Sequence, residues 1–238
     1  MPRFAANRTM RFTEVPFLDR FQRASRAGFE AVEFLFPDAY PAAKIERRIV
    51  DNGLTLVLHN LPEGDWDNGE RGIACLPDRG DEFRRGVGRA IKYAKALGVE
   101  QLNCLAGKAP VGPAERCRAT SVANLSFAAE ALQKAGLRLL IEPVNTFDIP
   151  DFFRNRTAQA ADILADIGAD KLFIQYNVHH AQRMEGELAG TLTKYLPKIA
   201  HIQLADNPRR NEPGTAEIHY PFLFAVLEHL DYDGWIGC

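Results

Sequence analysis

The stretch Leu137-Arg138-Leu139-Leu140-Ile141-Glu142-Pro143-Val144-Asn145 decides the fold of this chain. Its apolar run, residues 139–141, is typical of a strand that is buried on both faces, as strands in parallel sheets are. Pro143 cannot donate a ladder hydrogen bond, so we predict that the strand ends there with Glu142 at its mouth. In a barrel of parallel strands, active sites are built at this end. Glu142 is therefore a candidate catalytic carboxylate, and the alternative is a strand-end glutamate that faces solvent or pairs with an arginine.

Strands and helices alternate along the rest of the chain with short connections, which is typical of α/β folds with a parallel sheet. Further strands are predicted at 3–7, 31–36, 54–60, 101–106, 172–178, 199–205 and 234–238, and helices at 17–27, 41–52, 81–97, 113–135, 157–167, 188–196 and 221–230. Seven βα units and a final strand predict a (β/α)8 TIM barrel that lacks its last helix. No linker marks a second domain, so we expect residues 1–238 to form one domain.

The composition excludes several classes of protein. A net charge of -2 gives no electrostatic reason to expect a nucleic-acid partner. The four cysteines are widely spaced and form no CxxC pair, which indicates reduced thiols rather than a disulfide framework or a zinc site. The first residues lack the apolar segment of a signal peptide, and no run approaches a membrane span. We expect a cytoplasmic protein with a small-molecule substrate and no nucleic-acid or membrane partner, for which a homo-oligomer is compatible with the sequence.

A long connection, residues 61–79, interrupts the alternation after the third predicted strand. A loop of this length inside a compact domain is either functional or disordered. Trp66 and Ile73 favour an ordered loop, because apolar loop residues usually pack against something. We therefore predict that this segment is a lid over the site.

The ends of three predicted strands carry oxygen ligands. Glu142, Asn177 and Gln203 each come from a different strand and are all expected at one mouth of the barrel. Oxygen ligands that converge from separate strands suit a hard divalent ion such as Mg²⁺ or Mn²⁺. The alternative for both amides is that they satisfy buried backbone groups.

Several histidines also fall near strand ends. His59, His180 and His201 are placed to orient ligands or to bind substrate oxygens, and the alternative for each is a hydrogen-bonded core residue. His179 and His180 are adjacent, and adjacent residues on a strand point to opposite faces. At most one of this pair is therefore expected to face the site.

Longer motifs extend through the chain. They include His59-Asn60-Leu61-Pro62-Glu63-Gly64-Asp65-Trp66, Gly69-Glu70-Arg71-Gly72-Ile73-Ala74-Cys75 and Gln182-Arg183-Met184-Glu185-Gly186-Glu187-Leu188, with shorter matches at Ala205-Asp206-Asn207-Pro208 and Gly234-Trp235-Ile236-Gly237-Cys238. On these motifs the chain resembles the hydroxypyruvate isomerases, within the xylose-isomerase-like TIM barrels that also include sugar epimerases and apurinic endonucleases. The resemblance covers essentially the whole chain.

The resemblance implies a metal site. The family binds a divalent cation through Glu, Asp, Gln or His, and Glu, taken from strands five to eight. Glu142 and Gln203 match the first and third positions, whereas Asn177 stands where the family usually has Asp. The fourth ligand would directly follow Cys238, the last residue given. Because an amide brings no negative charge, we expect this chain to bind metal weakly.

The resemblance also implies substrate contacts. His180 and Arg209 match, by spacing, a histidine and an arginine that contact substrate in the related epimerases. Glu70 and Arg71 of the lid are expected to close over the mouth and to contact substrate together with His59.

The implied reaction is the interconversion of hydroxypyruvate and tartronate semialdehyde, with Glu142 as one of two acid/base groups. The alternatives are isomerisation of a related oxo acid such as 2-oxo-tetronate, a sugar 3-epimerase, and a weakly active or inactive barrel that only binds a ligand. An apurinic nuclease normally uses a His-rich metal cluster and a basic face. Six histidines and a negative net charge disfavour that reading.

Overall fold

The computed structural model describes residues 2–168 and 170–238 and shows a closed barrel of parallel strands in the order β1 to β8. Neighbouring strands pair in sequence order, and β8 closes the barrel on β1. The predicted (β/α)8 architecture is confirmed. The strands are β1 (Arg3–Asn7), β2 (Ala31–Glu33), β3 (Thr55–Asn60), β4 (Gln101–Cys104), β5 (Arg138–Ile141), β6 (Leu172–Asn177), β7 (Ile199–Gln203) and β8 (Trp235–Gly237).

Helices connect the strands around the outside of the barrel. They are α1 (Arg20–Arg26), α2 (Ala42–Asp51), α3 (Gly80–Leu97), α4 (Ala114–Lys134), α5 (Thr157–Ile167), α6 (Val178–Met184), α7 (Leu188–Tyr195) and α8 (Tyr220–His229). The last element within the described residues is β8. No helix of this described part is both long and apolar enough to cross a membrane.

The short helix α6 was not predicted, because the sequence analysis extends the sixth strand through residue 178. Asn177 ends β6 and caps α6, since its side-chain oxygen accepts a hydrogen bond from the His180 amide at 3.4 Å. Asparagine is among the preferred N-cap residues, so this signal was present in the sequence. His179 and His180 therefore lie on a helix, where neighbours are about 100° apart. Both are buried, and the premise that they lie on a strand is wrong. His180 nevertheless lies beside Glu142, with its Nε2 3.8 Å from Glu142 Oε1, whereas His179 contacts Asp148 at 2.9 Å and the carbonyl of Asp206 at 3.3 Å.

Two apolar layers hold the barrel. The outer layer lies between strands and helices and contains residues such as Val32, Ile141 and Ile202, and the inner one contains Ala31 and Leu140. The inner layer fills only the lower part of the barrel, so the space at the carboxyl ends of the strands is left to polar side chains. The cysteines are free thiols, as their dispersal predicts.

Residues 61–79, the predicted lid, form an ordered loop. The ring of Trp66 packs on that of Phe36 with centroids 5.1 Å apart, and the guanidinium of Arg71 lies 3.9 Å from the centroid of the Trp66 ring. The side chain of Ile73 is only 3% exposed and belongs to the outer apolar layer. Residues 72–75 are buried, so the first half of the loop, before residue 72, is the part that remains available to act as a lid.

A backbone contact fixes this loop at Gly72. Gly72 and Gly107 both have φ near +99°, a conformation that favours glycine. A Cβ atom on Gly107 would lie 2.6 Å from the carbonyl oxygen of Gly72, and one on Gly72 would collide with the backbone of Leu105. The two loops can approach this closely because neither glycine carries a side chain.

Candidate active site

A layer of buried polar side chains lies inside the barrel at the carboxyl ends of the strands. These residues alternate with outward-pointing apolar ones, because successive residues of a strand point to opposite faces. Each strand from β1 to β7 contributes at least one side chain to this layer, either from the strand itself or from the residue directly after it. The members are Asn7, Glu33, Asn60, Asn103, Glu142, Gln175, Asn177, His201 and Gln203.

Glu142 lies in this layer, directly after β5, with only 6% of its surface exposed. Its Oε1 accepts a hydrogen bond from Asn177 at 3.0 Å, and its Oε2 accepts one from Asn103 at 3.3 Å. Burial raises the pKa of Glu142 to about 7, although the nearby Arg210 guanidinium and the Asn177 amide act to lower it. A carboxyl group that titrates near neutrality is suited both to remove and to return a proton.

The three predicted metal ligands are brought together. The Asn177 amide nitrogen donates to Glu142 Oε1 at 3.0 Å and to Gln203 Oε1 at 3.1 Å. Glu142 Oε1, from the β5 side, and Gln203 Oε1, from the β7 side, thus both lie next to the amide nitrogen of Asn177. Convergent oxygens are what a divalent cation requires. These residues fit such an ion when the Asn177 amide turns its oxygen inward, but the set contains a single carboxylate.

The burial of Glu142 predicts a pH-dependent stability. Its folded pKa of about 7 lies above the ordinary value of 4.5. Below pH 4.5 the carboxyl is neutral in both folded and unfolded chains. As pH rises through 7, the folded chain must ionise a buried group and loses up to roughly 3 kcal/mol.

In the presence of a chelator, we therefore expect Glu142→Gln to have a higher melting temperature than the unchanged protein at pH 8. The difference should disappear near pH 4.5. Thermal unfolding followed by circular dichroism at both pH values measures it. Equal melting temperatures at pH 8 would show that the Glu142 carboxylate is not destabilising.

Glu33, at the end of β2, is a second buried carboxylate to which the sequence analysis assigned no role. Its Oε2 lies 2.6 Å from His201 Nε2, and its Oε1 accepts a hydrogen bond from Asn7 at 2.9 Å and another from Gln203. Gly237 on β8 leaves room for it, because a Cβ there would collide with the Glu33 carboxylate. The second strand was predicted at 31–36, so the sequence did not identify Glu33 as a strand-end residue.

His180 borders Glu142 on the other side of the mouth. Its Nε2 lies 3.8 Å from Glu142 Oε1 and 3.2 Å from a guanidinium nitrogen of Arg210. Burial, the charge of Arg210 and the neighbouring His179 hold the pKa of His180 well below its usual value. The imidazole of His180 is therefore neutral around pH 7.

Asp148, His179 and His180 form a cluster whose candidate ligand atoms all lie within 4.8 Å of one another. His179 Nε2 contacts the Asp148 carboxylate at 2.9 Å. The guanidinium groups of Arg183 and Arg210 contact Asp148 and His180 at 3.2 Å, and positive charge at these atoms opposes a cation. This cluster is therefore less suited to a metal than the oxygens of Glu142 and Gln203.

The arginine that reaches the site is Arg210, not the predicted Arg209. Arg209 is exposed, whereas Arg210 is partly buried and contacts His180. The backbone of Arg210 has a φ of +56°, and its amide bonds back to the carbonyl of Asp206 at 2.9 Å. This tight turn cannot be read from residue spacing, so the prediction was displaced by one residue.

His59 is not brought to the site. It pairs with Leu102 of the outer layer, whereas the next residue, Asn60, pairs with Asn103 of the polar layer. The His59 ring stacks on Phe34 with centroids 6.1 Å apart, and burial lowers its pKa to about 4. His59 therefore has the position of the alternative that the sequence left open, a hydrogen-bonded core histidine.

Glu70 and Arg71 are engaged within the loop rather than with the barrel mouth. The Glu70 carboxylate binds Arg79 and the amide of Asp65. The Arg71 guanidinium donates to the carbonyl of Trp66 at 3.0 Å and lies over its ring. In this structure both residues shape the loop, and their contact with substrate stays a prediction.

Asp206 organises the loop that carries Arg210. Burial alone would raise the pKa of Asp206, but backbone amides that bind its carboxylate lower it. These amides approach to between 2.8 and 3.1 Å and belong to Asn207, Gly214, Thr215, Ala216 and Ile218. The carboxylate of Asp206 thus accepts hydrogen bonds from loop amides that have no helix or sheet partners.

Asp206→Ala is expected to lower the free energy of unfolding by roughly 2 to 4 kcal/mol, because buried amides lose a charged acceptor. Urea denaturation measures the change. Asp166→Ala is the matched control, since Asp166 forms only an exposed ion pair with Arg118. Such pairs contribute about 1 kcal/mol or less. Equal effects of the two substitutions would contradict the anchoring role of Asp206.

Comparison with known proteins agrees with this geometry. The family described as xylose isomerase-like TIM barrel matches residues 21–238. The hydroxypyruvate isomerase of Escherichia coli is 52% identical and is aligned over all of this chain and 93% of its own length. The 2-oxo-tetronate isomerase of Cupriavidus necator is 47% identical over all of this chain and 92% of its own.

A solved structure is also similar over the whole chain. The AP endonuclease, family 2, from Brucella melitensis superimposes with a TM-score of 0.98 at 41% identity. The match covers all of this chain and 92% of that one.

Proposed function

Because the chain belongs to the xylose isomerase-like TIM barrels, and within them to the hydroxypyruvate isomerase family, we propose that it is an aldose–ketose isomerase that interconverts hydroxypyruvate and tartronate semialdehyde. The observation that carries this proposal is Glu142. It is a buried carboxylate at the barrel mouth with a pKa of about 7, next to the neutral His180 and to Arg210.

The reaction moves a proton between two adjacent carbons. Glu142 removes the proton from the hydroxyl-bearing carbon beside the carbonyl and returns it to the former carbonyl carbon, while the hydroxyl proton passes to the former carbonyl oxygen. Between these steps the substrate oxygens carry negative charge, and hydrogen-bond donors placed beforehand stabilise it. His180 and Arg210 are the donors that lie next to Glu142.

Glu142, Asn177 and Gln203 would hold a divalent cation, which we propose to be Mg²⁺ or Mn²⁺. When bound, such a cation supplies Lewis-acid polarisation of the substrate oxygens. Asn177 contributes an oxygen but no charge, so we propose that the bare set binds the cation weakly.

A space beside Gln203 and Arg210 suits a small substrate. A cavity of about 210 Å³ opens at the mouth and is lined by Glu33, Gln203, Arg11 and Arg210, among others. Sites for drug-sized ligands typically measure roughly 300 to 1,000 Å³. The lining holds two arginines and two glutamates, Glu33 and Glu212. Because the Glu33 carboxylate is already bound by His201, Asn7 and Gln203, the arginines support a small substrate that carries an acidic group.

Incubation of the purified protein with hydroxypyruvate and Mg²⁺ or Mn²⁺ tests the proposal. Proton NMR should record the appearance of tartronate semialdehyde and, in ²H₂O, deuterium at the exchanged carbon. No turnover of hydroxypyruvate under these conditions would overturn the proposal.

A second candidate is isomerisation of 2-oxo-tetronate, which the 47% identity to the Cupriavidus necator enzyme favours. The two substrates differ in chain length. Measurement of kcat/KM for both decides between them, and a higher value for 2-oxo-tetronate would make it the function of this chain.

We also propose that the first half of the 61–79 loop acts as a lid. Substrate analogues at saturation should then protect the bond after Arg71 from trypsin. The bond after Arg118 on the exposed face of α4 serves as the control and should be cleaved equally with and without ligand. Unchanged cleavage after Arg71 would reduce this segment to a structural loop.

A further inference from the structure

The side-chain amide of Asn145 has a fixed orientation. Its oxygen accepts a hydrogen bond from the Asp148 backbone amide at 2.8 Å, and its nitrogen donates to an Asp148 carboxylate oxygen at 2.9 Å. If the amide were turned over, its NH₂ would face an N–H group and its oxygen would face a carboxylate. Two hydrogen bonds therefore decide which end of the amide is the donor.

Asp148 is itself held in place. His179 Nε2 contacts one of its oxygens at 2.9 Å, and Arg183 donates to the other at 3.2 Å. The acceptor that orients Asn145 is thus fixed from α6, independently of His180.

The second hydrogen of the Asn145 NH₂ group points at His180. The amide nitrogen lies 2.7 Å from His180 Nδ1, and both residues are buried. Because this nitrogen is a donor, Nδ1 must act as an acceptor. A neutral imidazole with a lone pair on Nδ1 carries its proton on Nε2.

Among the residues that the structure describes, that Nε2–H group has no acceptor within hydrogen-bond distance. Its closest neighbour is a guanidinium nitrogen of Arg210 at 3.2 Å, which is also a donor. Glu142 Oε1, at 3.8 Å, lies beyond hydrogen-bond distance. Two donors that face each other beside a carboxylate are satisfied when an oxygen atom from a ligand enters between them.

We propose that Asn145 is a positioning residue that holds His180 in its Nε2–H tautomer, so that His180 and Arg210 donate together to the substrate oxygen that becomes negative as Glu142 removes the proton. The part that concerns the substrate rests on the proposed isomerase function. The tautomer does not, because it follows from the contacts of Asn145.

NMR of protein labelled with ¹⁵N at histidine tests the tautomer directly. His180→Gln identifies the His180 signals by their loss, and these signals should show a protonated Nε2 and an unprotonated Nδ1 at neutral pH. Asn145→Asp should invert the pattern, because a carboxylate oxygen accepts a hydrogen bond from Nδ1–H. Asn145→Leu should leave a mixture of both tautomers.

The matched control is Asn155→Leu. Asn155 lies in the same connection between β5 and α5 but bonds to the carbonyl of Phe152, so the His180 signals should not change. A protonated Nδ1 in the unchanged protein would overturn the proposal. An unaltered pattern in Asn145→Asp would do the same.

Kinetics test the catalytic consequence. Asn145→Leu should lower kcat by about tenfold to a hundredfold and change KM little, because the donor acts mainly when the oxygen is charged. In a His180→Gln background the same substitution should lower kcat no further, since Asn145 acts through His180. A multiplicative loss would show that Asn145 acts by another route.

The NMR experiment tests the tautomer, and the kinetic experiment tests the reaction. If the unchanged protein does not turn over hydroxypyruvate, the proposed function fails and so does the catalytic part of this inference. The NMR signals of His180 still decide whether Asn145 sets the tautomer.

Discussion

Glu142→Gln is expected to lower kcat for hydroxypyruvate by at least about a hundredfold. The loss of a group that transfers a proton in the transition state typically reduces the rate by about 10² to 10⁴. Glutamine keeps the shape of the side chain and can still accept from Asn177, but it cannot take up a proton at working pH. Substrate binding is less affected, so KM should change much less than kcat.

Glu33→Gln is the matched comparison for this substitution. Glu33 lies in the same polar layer and is equally buried, but its carboxylate is occupied by His201, Asn7 and Gln203. Steady-state kinetics of both variants show which of the two glutamates transfers the proton. If Glu33→Gln lost more activity than Glu142→Gln, then the acid/base group would be Glu33.

Asn177→Asp is expected to tighten the binding of Mn²⁺ by more than about tenfold. A change in a group that only orients a metal ligand already alters affinity by about 10 to 100-fold. The substitution acts at a ligand itself. It places a carboxylate where the oxygens of Glu142 and Gln203 converge, so a second negative charge offsets that of the cation.

The same change should destabilise the cation-free protein, because the new carboxylate no longer donates to Glu142 and repels it. Titration calorimetry with Mn²⁺ measures the affinity, and melting temperatures with and without chelator measure the stability. Asn103→Asp is the control, since Asn103 contacts the opposite oxygen of Glu142 at 3.3 Å. Equal tightening in both variants would mean that added charge, rather than the position of Asn177, governs binding.

The barrel was predictable because its signals are local. A run such as 139–141 needs burial on both faces, and the helical spacing between strands returns the chain to the same edge each time. The strand-end rule then found Glu142, Asn177 and Gln203, which the structure places in contact. Glu33 was overlooked because the second strand was predicted at 31–36, which places it inside the strand, whereas β2 ends at Glu33.

The positions that were misjudged depend on geometry that spacing does not encode. Between β2 and β3 the register shifts near Glu33, and His59 lies on the outer side of β3. The turn with positive φ at Arg210 brings that side chain inward in place of Arg209. The role of Asn145 depends on contacts between a loop and α6, which no local pattern reports.

The contact between Gly72 and Gly107 indicates where this enzyme could be changed to accept longer substrates. The loop is held at Gly72, so the proposed lid would open by moving the residues that precede Gly72. A short loop segment that is held at both ends can enclose only a short substrate. An engineer should therefore insert residues between Pro62 and Gly72 and leave the barrel unchanged, because lengthening a surface loop costs little stability.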